Sequence, residues 1–117
     1  MVIKMNIQIF GTKKSADTRK AERYFKERGI KFQCIDMKEK GLSKGEFQSA
    51  LQATGGLDGM IDQDCRDREL LALIRYIADE DKEEKVFENQ SVLRLPIVRN
   101  GREATIGYAP DIWKKWN

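Results

Sequence analysis

The chain has 117 residues, of which 40% are hydrophobic, and this is enough for one domain with its own apolar core. Its net charge of +3, from 22 basic and 19 acidic residues, is too small to indicate direct nucleic-acid binding. No apolar run reaches the length of a membrane span, and the N-terminus lacks the apolar stretch of a secretory signal. We therefore expect a cytoplasmic protein with no membrane partner.

The chain has two cysteines, Cys34 and Cys65, and no histidine. Histidine-based acid–base chemistry and histidine-ligated metals are therefore excluded. Two isolated cysteines are too few for a structural zinc site, so no bound metal is expected. In the cytoplasm both thiols should stay reduced, and a regulatory disulfide between them is the alternative.

The first third of the chain predicts a βαβ unit. Residues 5–10 begin with alternating apolar and polar side chains and are rich in strand formers. A polar loop over 11–16 leads to a helix over 17–28, which ends at Gly29 and buries one apolar face. Residues 31–36 alternate again and predict a second strand, parallel to the first.

The middle of the chain is predicted to be helical. A helix over 43–53 begins at a capping box formed by Ser43 and Glu46. After a glycine-rich break, residues 66–79 predict a second helix, and residues 80–90 continue as a charged helix or turn with a solvated face. The second helix carries an apolar stripe expected to lie in the core, made of Leu70, Leu71, Leu73, Ile74 and Ile77.

The last third returns to strands. Residues 95–98 predict a third strand, and the dipeptide Asn100-Gly101 predicts a hairpin that leads to a fourth strand over 104–106. Pro110 favours the start of a short final helix. Three apolar residues of this segment are expected to pack on the sheet: Ile112, Trp113 and Trp116.

A βαβ half followed by a ββα half, with a proline entering the third strand, describes an α/β protein with a thioredoxin-like three-layer fold and a mixed four-stranded sheet. Residues 1–117 are expected to form a single domain with a helical insertion at about 43–90. The chain resembles the arsenate reductase (ArsC)/Spx family of glutaredoxin-related proteins over nearly its whole length. The resemblance is carried by Phe10–Ala21, Gly29–Phe32, Leu42–Ser43 with Glu46, Leu93–Val98, and Gly107–Tyr108.

The resemblance implies a reactive cysteine in the loop before the first helix, where the helix N-terminus would stabilise a thiolate or an oxyanion. Aligned through Arg19-Lys20-Ala21, that position holds Ser15, and the second position of the Cys-x-x-Cys pair in Spx-type members holds Thr18. Neither residue can form a disulfide. The alternative is that both residues have only a structural role: they cap the first helix and pack at its start.

Two further positions depart from the family pattern. Asp64 falls near the place of a family arginine, which Arg66 could replace after a small shift. Leu95 stands where the family has an arginine before the proline, and Arg94 lies one residue earlier, which on a strand would face the opposite way. The resemblance implies that Pro96 is cis and forms a wall of the site.

Basic residues near the loop are candidates for anion binding. The alternative is that they are ordinary solvent-exposed charges with no ligand. The candidates are Lys13, Lys14, Arg19 and Arg94.

The sequence therefore predicts a protein of this family that has lost thiol-redox catalysis and binds a partner protein, with no cofactor. Spx-type relatives bind the RNA polymerase α subunit, which implies a role in transcriptional regulation. One alternative is an arsenate reductase-like oxidoreductase linked to glutathione or glutaredoxin. Another is a binder of small anions or thiol ligands.

Overall fold

The computed structural model describes residues 6–116 of the chain, and the helices and strands within that range follow one another in the order that the sequence predicts. The strands are β1 (Ile7–Gly11), β2 (Phe32–Asp36), β3 (Ile97–Asn100) and β4 (Glu103–Ile106). The helices are α1 (Ala16–Glu27), α2 (Lys44–Ala53), α3 (Arg68–Tyr76), α4 (Asp79–Glu88) and α5 (Pro110–Trp113). Single 3₁₀ turns occur at Asp58–Met60 and Gln90–Val92.

The strands form one mixed sheet in the order β2-β1-β3-β4. β1 is parallel to β2, with Ile9 opposite Cys34, and antiparallel to β3, with Ile9 opposite Val98. β3 and β4 form an antiparallel hairpin that turns through Gly101, whose φ of 61° suits glycine. The predicted α/β fold with a mixed four-stranded sheet is confirmed.

The sheet separates two apolar cores, which makes the fold three-layered. Helices α1 and α5 cover one face, where the buried residues are Ile7, Ile9, Ala21, Tyr24, Phe25, Val98, Trp113 and Trp116. Helices α2, α3 and α4 cover the other face, where the largest buried side chains include Phe10, Phe47, Met60, Leu71, Ile74 and Ile97. Alternation along β1 sends Ile9 to one core and Phe10 to the other.

The helical middle differs from the prediction in two respects. The helix expected over 66–79 ends at Tyr76, because Ile77 has an extended backbone, and α4 then begins at Asp79. The apolar stripe is also only partly in the core: Leu71 and Ile74 are buried, but Leu73 is 43% exposed. At 100° per residue, Leu73 points away from the face that Leu71 presents to the core.

Other element ends shift by one or two residues. β1 covers 7–11 rather than 5–10, and residue 5 of that prediction lies outside the described residues. The Ser43 capping box is confirmed: the Glu46 N–H donates to Ser43 Oγ at 3.2 Å, and the Ser43 N–H donates to Glu46 Oε1 at 2.9 Å. Ile112 was expected to pack on the sheet, but it is 49% exposed, since α5 is a single turn that buries only one face.

Residues 6–116 include no helix that is both long and apolar enough to cross a membrane.

Candidate functional site

The first turn of α1 is built around Ser15. Its backbone is extended, with φ of −78° and ψ of 117°, and its hydroxyl accepts a hydrogen bond from the Thr18 N–H at 3.2 Å. Ser15 is therefore the N-cap of α1 and satisfies an amide that would otherwise lack a partner in the helix. The oxygen of Ser15 therefore serves as a cap, and the chain has no histidine that could act as a base toward this hydroxyl.

Thr18 is buried beneath that turn. It is only 4% exposed, and its side chain packs so tightly on β1 that a Cβ added to Gly11 would lie 2.3 Å from Thr18 Oγ1. The hydroxyl has no hydrogen-bond partner among the described residues. Thr18 thus fills space between helix and sheet rather than presenting a reactive group at the surface.

A cleft with a volume of about 510 Å³ lies beside Ser15. Three separate segments form it, and their lining residues are Ser15, Ala16, Asp17, Asp62, Asp64, Ser91, Leu93, Arg94 and Leu95. The structure therefore brings Arg94 and Asp64 to Ser15, although they are far apart in sequence. Asp17, Asp62 and Asp64 line the cleft together with Arg94, and Asp17 also pairs with Lys20 at 3.9 Å, so the acidic residues of the lining outnumber its one basic residue.

The expectation that Arg94 faces away from the position of Leu95 is wrong. β3 begins at Ile97 rather than at Leu95, so the strand alternation does not apply to these two residues. Arg94 and Leu95 both line the cleft, and the Arg94 N–H donates to the Met60 carbonyl at 2.8 Å.

Pro96 is fully buried and its bond to Leu95 is cis, as the resemblance implied. The Pro96 carbonyl accepts a hydrogen bond from the Gly107 N–H at 2.8 Å, which joins the start of β3 to the end of β4. Pro96 itself is not among the residues that line the cleft, so its role as a wall of the site stays a prediction.

The basic residues of the loop do not gather around Ser15. Arg19 donates to the Lys13 carbonyl at 2.7 Å, which folds its side chain back along the loop. Lys13 lines a different, smaller cavity between α1 and β2, and Lys14 is exposed. Among the four candidates for anion binding, Arg94 is the one that lines the Ser15 cleft; Arg66, the possible substitute for a family arginine, is exposed outside it.

Both cysteines carry free thiols, and they lie on opposite sides of the sheet. Cys34 faces α1, where its thiol donates to the Glu22 carboxylate at 3.2 Å. Cys65 packs against the core formed by α2, α3 and α4, and its thiol contacts the Ser91 carbonyl at 3.7 Å. This arrangement rules out the alternative of a Cys34–Cys65 disulfide, since the sheet stands between the two residues.

Cys34 is exposed as a residue, but partial burial of its thiol raises the pKa to about 12, and the hydrogen bond and negative charge of Glu22 add to the effect. At neutral pH this thiol is protonated and a poor nucleophile.

Sequence reasoning missed Asp17, Asp62 and Ser91 as parts of the cleft. The Asp62 carboxylate accepts the Asp64 N–H at 2.9 Å, which shapes the turn that carries both acids. An Asp-x-Asp pattern in a polar loop signals such a turn, but no local pattern connects it to a helix almost fifty residues earlier.

No protein-family model and no curated protein matches the sequence. Solved structures match it over nearly the whole chain. An ArsC-family-related protein from Bacteroides fragilis is 14% identical with a TM-score of 0.81, covering 98% of this chain and 100% of that one.

An arsenate reductase from Vibrio cholerae is 21% identical with a TM-score of 0.76, covering 94% of this chain and 96% of that one. An arsenate reductase (ArsC) related protein from Brucella melitensis is 15% identical with a TM-score of 0.61, covering 99% of this chain and 98% of that one. At these identities the likeness is one of fold. The chain therefore has the thioredoxin-like fold of ArsC-related proteins, with a serine capping the helix that follows its first strand.

Proposed function

We propose that this protein has no thiol-redox activity and acts by binding a partner protein, in the manner of Spx-type regulators of transcription. The observation that carries the proposal is Ser15: the N-cap of α1 is a hydroxyl already bonded to the Thr18 N–H at 3.2 Å. A hydroxyl cannot form the disulfide or the thiol adduct with arsenate on which thiol-dependent reduction depends.

The two thiols elsewhere in the chain do not replace the missing one. Cys34 is held protonated, with its pKa raised by burial and by Glu22. Cys65 packs against the apolar core on the other side of the sheet and does not line the Ser15 cleft. Neither therefore offers a thiolate at the N-terminus of α1, where the helix dipole would stabilise it.

The charges of the cleft weigh against a substrate oxyanion. Asp17, Asp62 and Asp64 line the same cleft as Arg94. Arsenate, phosphate or sulfate would meet net negative charge there, so the binding of small anions has less support than the binding of a protein.

A redox assay tests the first half of the proposal. Purified protein is incubated with arsenate, glutathione and glutaredoxin, and glutathione oxidation is followed. We expect the rate to equal that of the Cys34→Ser/Cys65→Ser variant. Arsenate-dependent oxidation that is abolished by Cys65→Ser alone would instead establish the arsenate reductase-like alternative.

A binding assay tests the second half. The resemblance to Spx-type proteins makes the RNA polymerase α subunit the first partner to examine, by titration calorimetry with the purified subunit. We expect binding that is unchanged in the Cys34→Ser/Cys65→Ser variant and in the presence of a reductant, because no thiol takes part. Absence of binding at high micromolar concentration would rule out this partner.

A further inference from the structure

A groove opens between α2 and α4, on the face of the molecule away from α1. Its volume is about 530 Å³, and its lining includes Phe47, Phe87, Glu80, Glu83, Glu84 and Glu88. Clefts of this size bind drug-sized ligands, so this groove has room for a large side chain of a partner. We call it the α2–α4 groove.

The floor of the groove is aromatic. Phe47 is almost completely buried and Phe87 is partly exposed, and their rings pack edge to face with centroids 5.5 Å apart. Gln48 and Glu83 are joined by a hydrogen bond between α2 and α4. The floor therefore offers a fixed apolar surface to a side chain that enters between the two helices.

The rim of the groove on α4 is a row of like charges. Glu80, Glu84 and Glu88 are spaced four residues apart, which places them on one face of the helix. Like charges at this spacing destabilise a helix, and within residues 6–116 none of the three forms a salt bridge. The row therefore carries an intramolecular cost that a cationic partner would relieve.

Negative charge is concentrated on α4 rather than spread over the protein. The helix has six acidic and two basic residues, whereas the whole chain has a net charge of +3. The field near the groove is thus opposite in sign to the overall charge, and Lys44 of α2 is the basic residue in the lining. Such a local field attracts a basic segment even to a basic protein.

We propose that the α2–α4 groove binds a basic helical segment of a partner protein. One large apolar side chain of that segment sits over Phe87, and its lysines or arginines contact Glu80, Glu84 and Glu88. An amphipathic helix seated between two helices is an established mode of peptide recognition. The inference rests on the proposed function, because it names the chemistry of the partner that the protein would bind.

A fluorescent, amphipathic peptide of lysine, alanine and leucine serves as the probe, and its binding is measured by anisotropy at several salt concentrations. We expect the Glu80→Gln/Glu84→Gln/Glu88→Gln variant to bind the peptide about tenfold more weakly, because it loses three partly exposed charge pairs with the lysines of the peptide. The matched control is Glu27→Gln/Glu39→Gln/Glu103→Gln, which removes the same charge from exposed positions outside the groove. This control should bind as the wild-type protein does, and affinity should fall with added salt.

Lys44→Glu is expected to increase peptide affinity, and misfolding would not produce such an increase. It adds negative charge to the groove at the first turn of α2, where the helix dipole favours it. We expect the peptide to bind about threefold more tightly. The proposal would be overturned if the two triple variants weakened peptide binding equally, or if Lys44→Glu did not increase peptide affinity.

Sedimentation of the protein alone distinguishes a second copy of the chain from a basic partner. Self-association that the groove variant abolishes would assign the groove to a dimer and contradict the proposal. Peptide binding with the expected variant pattern, but no binding of the RNA polymerase α subunit, would uphold the groove and reject only that partner.

Discussion

Ser15 and Thr18 are bonded to each other: the Thr18 N–H donates to Ser15 Oγ at 3.2 Å across the first turn of α1. The resemblance to Spx-type proteins implies reactive cysteines at these two positions. In this chain one residue caps the helix and the other fills the space above Gly11. Neither side chain is a thiol, so these two residues cannot form a disulfide.

The cap predicts a stability change for Ser15→Ala. Loss of the hydroxyl leaves the Thr18 N–H without its partner and should lower the free energy of unfolding by about 1 kcal/mol. Urea unfolding monitored by circular dichroism measures the change. Ser15→Asp is the control, because an aspartate caps the same amide, and it should be close to wild-type stability. A Ser15→Ala protein as stable as the wild type would contradict the assignment of Ser15 as the cap.

A thiol introduced at position 15 should be reactive without giving arsenate reductase activity. In a Cys34→Ser/Cys65→Ser background, Ser15→Cys places a thiol at the N-terminus of α1, which lowers its pKa. The pH dependence of iodoacetamide alkylation measures that pKa, and we expect it below the usual value of cysteine. Little arsenate reduction should follow, because Asp17, Asp62 and Asp64 share the cleft. Full reductase activity from this variant would show that the rest of the site is intact.

Because Gly11 lies in close contact with Thr18, we expect the substitution Gly11→Ala to destabilise the protein. The added Cβ would lie 2.3 Å from Thr18 Oγ1 and 2.4 Å from its Cγ2, in a buried part of the fold. Overpacking of this kind costs about 1–3 kcal/mol.

The double variant Gly11→Ala/Thr18→Ala removes those two atoms, while the Cβ of residue 18 remains at 2.9 Å. Thermal unfolding of both single variants and the double variant completes a mutant cycle. We expect Gly11→Ala to be less destabilising in the Thr18→Ala background. Strictly additive effects would show that the two residues do not compete for the same space.

The Cys34 thiol should react slowly and with an unusual pH dependence. Burial and then Glu22 raise its pKa to about 12, so in a Cys65→Ser background the alkylation rate should keep rising with pH well above 9. Glu22→Gln removes the carboxylate, lowers the pKa of the thiol and should speed up alkylation at pH 8. Glu27→Gln, on the exposed side of α1, is the matched control. An alkylation rate that levels off near pH 9 in the Cys65→Ser protein with Glu22 unchanged would contradict the raised pKa.

The same shift has a consequence for stability at alkaline pH. The folded state holds the Cys34 proton up to a higher pH than the unfolded state does, so the unfolded state binds fewer protons between about 9 and about 12. The contribution of this group is therefore fully present below pH 9 and is lost as pH rises towards 12. Cys34→Ser should remove that part of the alkaline loss of stability.

Features that depend on neighbouring residues were predictable from the sequence. The capping box of Ser43 and Glu46, the hairpin at Asn100-Gly101 and the alternation along β1 are encoded within a few residues, and the structure has all three. Their order led to the sheet and to the thioredoxin-like fold, because short connections leave few topologies open. Ser15 could likewise be located at the start of α1 from sequence alone.

The cleft beside Ser15 and the α2–α4 groove are decided by tertiary packing. The cleft combines residues from 15–17, 62–64 and 91–95, whose approach depends on how α2, α3 and α4 settle against the sheet. The helix predicted over 66–79 ends at Tyr76, and α4 then lies beside α2 with its glutamates facing the gap. Sequence determined which groups are available, most clearly a serine at the start of α1. Packing decided which of them meet, because side-chain contacts between distant segments follow from the fit of apolar surfaces, which no local pattern records.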